Sequence, residues 1–281
     1  MAKAKVTDLR KMYPELAPDK DYPPLRFKSL KGKVSAAEWE ARVDCACAYR
    51  LVKHFGMDDL IYNHISARVP GPDHHFLINP YGLLFSEVTA SSLVKIDLDG
   101  NKVDATDAEV NQAGFVIHSA IHAGRPDALC VLHTHSEAGT AIAAMPDGLA
   151  PLSQFAMRYQ GHTAFHDYEG VALETGERER LVRDLGPHHT LVLRNHGILT
   201  VGRTIPEAFI LMYYFEKAAK VQLLAQGGVA PGQSLVYPRP EVSELAARQF
   251  TEFAGDILPP GTREWPAFLR MLERTQPDYR L

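Results

Sequence analysis

Alternation of apolar and polar residues predicts several short strands. Residues 61–69 alternate with a period of two, which is typical of a half-buried strand. Residues 93–98 and 102–103, separated by Asp99 and Gly100, predict a hairpin. Three further apolar runs have the length of short buried strands, and they lie at 76–78, 129–132 and 190–193.

Helical spacing of apolar residues between these strands predicts the helices. Capping boxes, in which a Ser or Thr is followed three residues later by Glu, mark helix starts at Ser35, Thr106 and Thr204. The predicted helices cover 35–56, 107–123, 136–145, 174–185 and 205–226, with helical stretches near 240–254 and 264–273. Because strands and helices mix without strict alternation, the pattern favours an α/β fold: a three-layer α/β/α domain with a largely antiparallel central sheet.

The predicted elements fall within one main domain. Residues 1–34 are basic, contain several prolines and lack periodicity, so we expect an irregular N-terminal arm. Residues 35–230 hold the predicted strands and the main helices, and they form the domain itself. Residues 231–281 are interrupted by prolines and are expected to be a C-terminal extension packed on the same domain.

Composition narrows the classes of function. The chain has 281 residues, of which 46% are hydrophobic and 23% charged, enough apolar material for a sizeable core. A net charge of -4 gives no reason to expect nucleic acid or an anionic membrane as a partner. Three cysteines, an odd number without a CxxC pair, favour a reducing compartment. Since we find neither an export signal nor an apolar run of ~18 residues, we expect a soluble, cytoplasmic protein.

Histidines follow two of the apolar strands. His133 and His135 come directly after the strand at 129–132, and in an extended segment residues two apart point to the same side. His196 follows another apolar strand and precedes Gly197, which permits a close approach of the backbone. If the two strands are neighbours, the three imidazoles form a metal site with an open position, which is typical of catalytic zinc.

Four segments of the chain, taken in order, resemble the class II aldolase/adducin family. The resemblance covers about residues 38–226, and its segments read NHISARV at 63–69, INPYG at 78–82, RPDALCVLHTH at 125–135 and LVLRNHG at 191–197. It implies an α/β/α fold and a cyclic homotetramer with active sites at subunit interfaces. It also implies that His133, His135 and His196 bind the metal. Asn63 and Gly82 match family positions that hold the anionic or carbonyl end of the substrate.

Two departures from the family pattern concern catalysis. In the sugar-phosphate aldolases of the family, a Glu that serves as acid and base lies nineteen residues before the first metal-binding histidine, and here that position is Gly114. The two preceding residues bind phosphate through hydroxyls in those enzymes; here they are Ala113 and Gln112, of which only Gln112 can donate a side-chain hydrogen bond. The phosphate-binding residues and the usual acid–base residue are therefore both altered. This pattern resembles the adducin-like branch, which includes non-catalytic cytoskeletal proteins.

Other polar residues each have two open interpretations. Glu137 is either a replacement base or a solvated residue in the first turn of a helix. Tyr159 and Tyr168 either protonate a carbanion through their phenols or pack in the core or at an interface. Arg158 either binds a substrate carboxylate or pairs on the surface. Asn195 is interpreted as a residue that orients a metal ligand.

Together these features predict a divalent-metal-dependent carbon–carbon lyase of the aldolase type, with one metal per chain. We expect Zn2+, with Mn2+ or another ion as the alternative, to stabilise an enolate of a non-phosphorylated hydroxy or oxo acid. The alternative reaction is decarboxylation of an aromatic or oxo acid, because loss of the Glu affects that chemistry less. The alternative of another class is a non-catalytic, adducin-like binding or scaffold protein. The expected partner of the enzyme is a small-molecule substrate.

Overall fold

The computed structural model describes residues 27–170, 176–251 and 260–281. The described strands are β1 (His64–Arg68), β2 (Phe76–Ile78), β3 (Val94–Ile96), β4 (Cys130–Thr134), β5 (Thr163–His166), β6 (Thr190–Leu193) and β7 (Gly197–Gly202). The described helices are α1 (Ala36–His54), α2 (Gln112–Gly124), α3 (Glu137–Ala143), α4 (Gln154–Met157), α5 (Glu177–Leu185), α6 (Ile205–Gly228), α7 (Pro240–Thr251) and α8 (Trp265–Thr275), followed by a 3-10 helix at Pro277–Arg280. Most of the predicted N-terminal arm and parts of two predicted helices lie outside the described residues, at 1–26, 174–175 and 252–254.

The described strands form one sheet in the order β3-β2-β1-β4-β7-β6-β5. Neighbouring strands are antiparallel except β5 and β6, which are parallel. One apolar cluster packs α1, α3 and α6 on one face of the sheet, and a second packs α2 and α5 on the other. Adjacent residues of β4 show the alternation, since Leu132 belongs to the first cluster and Val131 to the second. The predicted three-layer α/β/α fold with a largely antiparallel sheet is confirmed.

Two predicted N-cap residues, Ser35 and Thr204, cap the starts of α1 and α6, but the reciprocal glutamate bonds of a capping box are replaced by contacts of Glu38 with Arg42 and of Glu207 with Arg203. The hydroxyl of Ser35 accepts a hydrogen bond from the N–H of Glu38 at 3.1 Å, and the hydroxyl of Thr204 accepts one from the N–H of Glu207 at 3.2 Å. Each bond satisfies an N–H group that the start of a helix leaves unpaired. Helix α6 then packs directly on β4 and β7, the strands that flank the histidines.

The helix predicted from Thr106 begins later in the structure, at Gln112. Asn111 caps it, because the Oδ1 atom of Asn111 accepts hydrogen bonds from two N–H groups of the first turn at 3.0 and 3.4 Å. The residues before the cap are not helical, since their backbone bonds elsewhere. The carbonyl of Glu109, for example, accepts from the N–H of Tyr81 at 2.8 Å. The real start of α2 therefore lies only two residues before position 114.

Tyr49 of α1 is fully buried and joins the helix to two strands. Its hydroxyl accepts hydrogen bonds from the N–H groups of Ile65 at 2.8 Å and Asn79 at 3.1 Å, and it lies 2.8 Å from the Oδ1 atom of Asn79. Ile65 belongs to β1, and Asn79 follows β2 directly. A single hydroxyl thus holds the beginning of β1 against the end of β2.

Residues 260–281 pack against α1 and the loop before β3. The indole N–H of Trp265 donates to the carboxylate of Asp44 at 2.9 Å, and the carbonyl of Tyr279 accepts from the N–H of Ala90 at 2.9 Å. Leu272 of α8 is fully buried in the same core cluster as α1. In the part of the chain that the structure describes, no helix has both the length and the apolar character needed to cross a membrane.

Candidate metal centre

Three neighbouring strands bring the histidines together. His133 lies within β4 and His135 one residue beyond its end, while His196 lies in the short connection between β6 and β7. Strand β7 pairs with β4 and with β6, so the ends of β4 and β6 meet at one edge of the sheet. The strand neighbourhood that the sequence pattern requires is therefore present.

The three imidazoles point their Nε2 atoms at one another. The Nε2 atom of His135 lies 2.9 Å from that of His133 and 3.0 Å from that of His196. Zinc–nitrogen bonds of about 2.0–2.1 Å at a tetrahedral angle place two ligand nitrogens about 3.3 Å apart, so a small cation fits with shifts of a few tenths of an ångström. Among the described residues, these three form the one group of His, Cys, Asp or Glu side chains whose ligand atoms converge in this way.

Hydrogen bonds on the far side of two rings determine which nitrogen is free. The Nδ1 atom of His133 donates to the carbonyl of Ile198 at 3.0 Å, and the Nδ1 atom of His135 donates to the carboxylate of Asp59 at 2.9 Å. Since Nδ1 carries the proton in each neutral ring, Nε2 presents a lone pair. Lone pairs that face each other at about 3 Å repel unless a cation lies between them. The arrangement is therefore suited to a metal ion.

Burial keeps His133 and His196 neutral at physiological pH by lowering their pKa values. Burial, followed by the nearby His196 and His135, holds the pKa of His133 well below its usual value of 6.5. Burial, followed by the nearby His135, lowers the pKa of His196 to about 4. Neutral imidazole is the form that binds metals, so no proton needs to be displaced from these two rings near pH 7.

Gly197 and Asn195 shape the backbone around His196. A Cβ atom on Gly197 would lie 2.3 Å from the carbonyl oxygen of Thr134, a distance that real Cβ atoms do not reach. Only glycine therefore allows β7 to approach β4 at the metal site, as the sequence pattern predicts. Asn195 is exposed and has a φ of 57°, the left-handed region that Asn tolerates. It forms the turn that presents His196, while the predicted role of its side chain toward a metal ligand stays a prediction.

Asn63 and His64 are polar side chains buried beside this site without partners. Asn63 is fully buried, and neither its amide nitrogen nor its amide oxygen has a hydrogen-bond partner. His64, the residue opposite His133 in the β1–β4 ladder, is 3% exposed, and neither ring nitrogen has a partner. Each unpaired buried polar group costs about 1–3 kcal/mol, so the two side chains are candidates to bind a ligand. Sequence reasoning included Asn63 but missed His64.

Similarity to known proteins identifies the family of this chain. The Class II Aldolase and Adducin N-terminal domain matches residues 43–223. The chain belongs to the class II aldolase and adducin family. The predicted resemblance is thereby confirmed, and it extends over both histidine segments.

Three members of the family illustrate its range. A crystal structure of an aldolase II superfamily protein from Pseudomonas syringae is 48% identical, with a TM-score of 0.83 over 90% of this chain and 100% of that chain. An L-fuculose 1-phosphate aldolase from Glaciozyma antarctica is 27% identical, with a TM-score of 0.74 over 92% of this chain and 97% of its own. The α-adducin of Rattus norvegicus is 43% identical over 241 residues, which are 83% of this chain and 33% of the adducin. Relatives named as aldolases and as adducins thus share this class II aldolase fold.

A cleft beside His196 contains one of the predicted catalytic residues, Tyr168. The phenol ring is 54% exposed, and its centroid lies 6.4 Å from that of His196. The carboxylates of Asp167, Glu169 and Glu177 also line the cleft. His166 and Arg194 line it as well, and Glu169 pairs with Arg180, so the cleft carries charges of both signs with a phenol at its wall close to the candidate metal site.

The other predicted contact residues lie apart from the histidines. Tyr159 is buried in the core, where its hydroxyl donates to the carbonyl of Leu211 at 2.5 Å, so it has no free group for a substrate. Arg158 stacks its guanidinium over aromatic rings at 4.4 and 4.8 Å. Glu137 is an exposed residue in the first turn of α3. Of these three, the structure gives none a contact with the metal ligands.

Gly82 and Gln112 occupy the loops near the start of α2. Gly82 lies in an exposed turn after β2 and has a φ of 97°, which glycine adopts without strain. Gln112 is the first residue of α2 and lines a surface depression with Val110 and Phe115. The side chain of Asn63 has no hydrogen bond to either residue, so their roles in substrate binding stay predictions.

Proposed function

We propose that this chain is a divalent-metal-dependent carbon–carbon lyase of the aldolase type, with one Zn2+ per chain held by His133, His135 and His196. One observation carries the proposal: three imidazole nitrogens converge at about 3 Å, and two of the rings are fixed by Nδ1 hydrogen bonds. Three protein ligands leave a position for substrate, the arrangement of catalytic zinc sites. Membership of the class II aldolase family supports the same reading.

The residues around the histidines suit the binding of a hydroxy or oxo acid. A bound divalent cation supplies a Lewis acid that stabilises the negative charge developing on the substrate carbonyl oxygen as a carbon–carbon bond breaks. The amide N–H of Asn63, which lacks a partner, donates to the carboxylate or carbonyl end of the substrate. The phenol of Tyr168 lines the cleft beside His196 and can donate a hydrogen bond to the substrate.

We propose that the substrate is not phosphorylated. The two positions at which sugar-phosphate aldolases of the family are expected to carry hydroxyls hold Gln112 and Ala113. Loss of two hydroxyl donors costs roughly 1–3 kcal/mol, at about 0.5–1.5 kcal/mol for each hydrogen bond. The one guanidinium lining the cleft beside His196, of Arg194, already donates to two backbone carbonyls at 2.6 and 2.9 Å, so it is not free to bind a phosphate.

A substrate panel tests the proposal against its rivals. The zinc-loaded protein is assayed with fuculose 1-phosphate and ribulose 5-phosphate, with 4-hydroxy-2-oxo acids, and with dihydroxybenzoates. We expect aldehyde and oxo-acid products from the 4-hydroxy-2-oxo acids only, and loss of that activity in His196→Ala. Efficient turnover of fuculose 1-phosphate, the substrate named for the Glaciozyma antarctica relative, would contradict the non-phosphorylated class. Release of carbon dioxide would favour the decarboxylase.

A binding role without turnover is the competing proposal, because α-adducin is 43% identical to this chain. The two proposals differ in one measurable respect. A lyase turns over its substrate only when the metal is bound, whereas a scaffold keeps its fold and its partners without metal. Absence of turnover for the whole panel, together with an unchanged melting temperature after chelation, would favour the scaffold and contradict the lyase.

We further propose a cytoplasmic homotetramer with active sites at subunit interfaces. The exposed face of the candidate site supports the interface, since Tyr62, Tyr81 and Leu84 near the strand ends are exposed apolar side chains. Three free, buried cysteines are compatible with a reducing compartment. Light scattering at micromolar concentration should give four times the 31.2 kDa chain mass, and a stable monomer would contradict the tetramer.

A further inference from the structure

His64 occupies the space that a side chain at position 114 would need. A Cβ atom built on Gly114 would lie 2.6 Å from Cδ2, 2.7 Å from Cγ and 2.8 Å from Nε2 of His64. These atoms belong to a buried, rigid ring rather than to the end of a flexible side chain. The imidazole and any side chain at 114 therefore exclude each other. The sugar-phosphate aldolases of this family are expected to carry their acid–base Glu at that same position.

The ring of His64 also lies beside the metal ligands. It stacks on the ring of His133, with centroids 6.0 Å apart and planes inclined by 19°. The two residues face each other in the β1–β4 ladder, so the sheet itself sets this arrangement. Neither ring nitrogen of His64 has a hydrogen-bond partner, and the adjacent Asn63 amide has none either. Polar atoms of two consecutive residues are thus buried and free at the metal site.

A chain of hydrogen bonds next to His64 has a defined direction. The Nδ1 atom of His122 lies 3.1 Å from the carbonyl of Ala128, to which it can only donate, so its Nε2 atom accepts from the hydroxyl of Ser66 at 2.8 Å. That hydroxyl in turn accepts from Nδ1 of His118 at 2.6 Å. The Nε2 atom of His118 is then a bare acceptor, and it has no partner.

This chain of hydrogen bonds ends at His118, whose ring lies beside that of His64. The rings of His118 and His64 meet edge to face with centroids 5.6 Å apart. No hydrogen bond joins the two rings, so both nitrogens of His64 are without a partner among the described residues. A neutral imidazole at this position therefore has one nitrogen free to accept a proton from a ligand.

We propose that His64 is a catalytic residue that contacts the bound substrate and takes the place of the missing carboxylate at Gly114. This inference rests on the proposed lyase function. In the cleavage step, Nε2 of His64 takes the proton of the substrate hydroxyl. The oxygen–hydrogen electrons form the new carbonyl bond of the aldehyde, and the electrons of the broken carbon–carbon bond enter the enolate of the oxo acid. The same proton returns from Nε2 to the enolate carbon, so the step needs no further reactant.

Exchange of the methyl protons of pyruvate tests this role directly. Pyruvate is the simplest oxo acid that forms such an enolate, and its exchange in D2O is followed by proton NMR with the zinc-loaded protein. We expect His64→Leu to slow the exchange by 100-fold or more, since a positioned acid–base group contributes about 100- to 10,000-fold. Zinc content, measured by elemental analysis, stays at the wild-type level. His162→Leu, which removes an exposed imidazole, is the matched control and exchanges at the wild-type rate.

Two variants at position 114 test whether the His64 ring and a side chain at 114 compete for the same space. Gly114→Ala adds a methyl group that displaces the ring of His64, so exchange falls while the His64 side chain is still present. The double variant His64→Ala/Gly114→Glu vacates the space and supplies a carboxylate. It should exchange pyruvate at least tenfold faster than His64→Ala alone. If His64 had a structural role only, a carboxylate on the neighbouring helix α2 would not restore the exchange rate.

The outcomes separate this inference from the proposed function. If wild type exchanges pyruvate and His64→Leu exchanges within threefold of it, the lyase stands and the role of His64 is overturned. Loss of zinc from His64→Leu would also overturn it, because His64 would then support the metal rather than the substrate. If wild type fails to exchange pyruvate and fails to bind oxalate, an enolate mimic, in calorimetry, the proposed function falls and the role of His64 falls with it.

Discussion

Asp59 fixes one of the candidate metal ligands from outside the site. Its carboxylate accepts a hydrogen bond from Nδ1 of His135 at 2.9 Å, which directs Nε2 of that ring toward the other two histidines. His135 follows the end of β4 and lacks the ladder contacts that hold His133. Replacing Asp59 by Ala should therefore leave the three ligands in place but release the orientation of one ring.

The size of the effect follows from the geometry. Loss of a carboxylate behind a metal-binding histidine typically lowers metal affinity about 10- to 100-fold, which is about 1.4–2.7 kcal/mol. The side chain of Asp59 is 42% exposed, so water weakens its interaction with the imidazole and can replace part of it. We therefore expect the lower end of the range, about a tenfold loss of zinc affinity.

Zinc affinity is measured by competition with a chromophoric chelator at pH 7. Asp58→Ala is the matched control, because Asp58 pairs with Lys53 at 3.0 Å and with none of the three histidines. We expect Asp59→Ala to bind zinc about tenfold more weakly than wild type and Asp58→Ala to bind it within twofold. Equal zinc affinities for the two variants would refute the reasoning, since the Asp59–His135 hydrogen bond would then not contribute to zinc binding.

Three further predictions concern the scaffold of the site. Tyr49→Phe leaves two buried backbone N–H groups unpaired, so urea unfolding should show a loss of about 2–5 kcal/mol; a loss under 1 kcal/mol would contradict it. Burial lowers the pKa values of His118 and His122 to about 3, so protonation of these residues in the unfolded chain favours unfolding below pH 6.5; the two should contribute a stability loss of about 4 kcal/mol between pH 7 and pH 5, to which the buried His133 and His196 add in the metal-free protein. Constant stability over that interval would count against the buried pair. Gly197→Ala forces a methyl group against the carbonyl of Thr134, so thermal unfolding should show a loss of about 1–3 kcal/mol and zinc binding should weaken. Unchanged zinc affinity would show that β7 can move away freely.

Local rules predicted the parts of the fold that depend on neighbours in sequence. Ser35 and Thr204 cap their helices because each bond joins residues only three apart at an open helix start. The same pattern at Thr106 fails because a distant residue, Tyr81, binds the carbonyl of Glu109 within that pattern. A pattern of four residues carries no information about that contact, so tertiary structure decided the start of α2.

The candidate site shows the same division. His133 and His135 were identifiable because a strand places residues two apart on one side, and Gly197 because a close approach demands glycine. His64 was missed because its significance depends on Gly114, a residue of another element, whose lack of a side chain leaves room for the His64 ring. Tyr159 is polar and lies in a loop-rich stretch, yet its hydroxyl is bound to a backbone carbonyl of α6, a pairing that spacing alone does not reveal.

Metal content is the most direct test of the central claim that three converging histidines bind one divalent ion. The protein is stripped with chelator, dialysed against limiting zinc, and analysed for zinc per chain alongside His133→Ala and His196→Ala. The account predicts about one zinc per wild-type chain and less than a tenth of that in either variant, with folding of the variants checked by circular dichroism. Undiminished zinc in two folded variants would contradict the account.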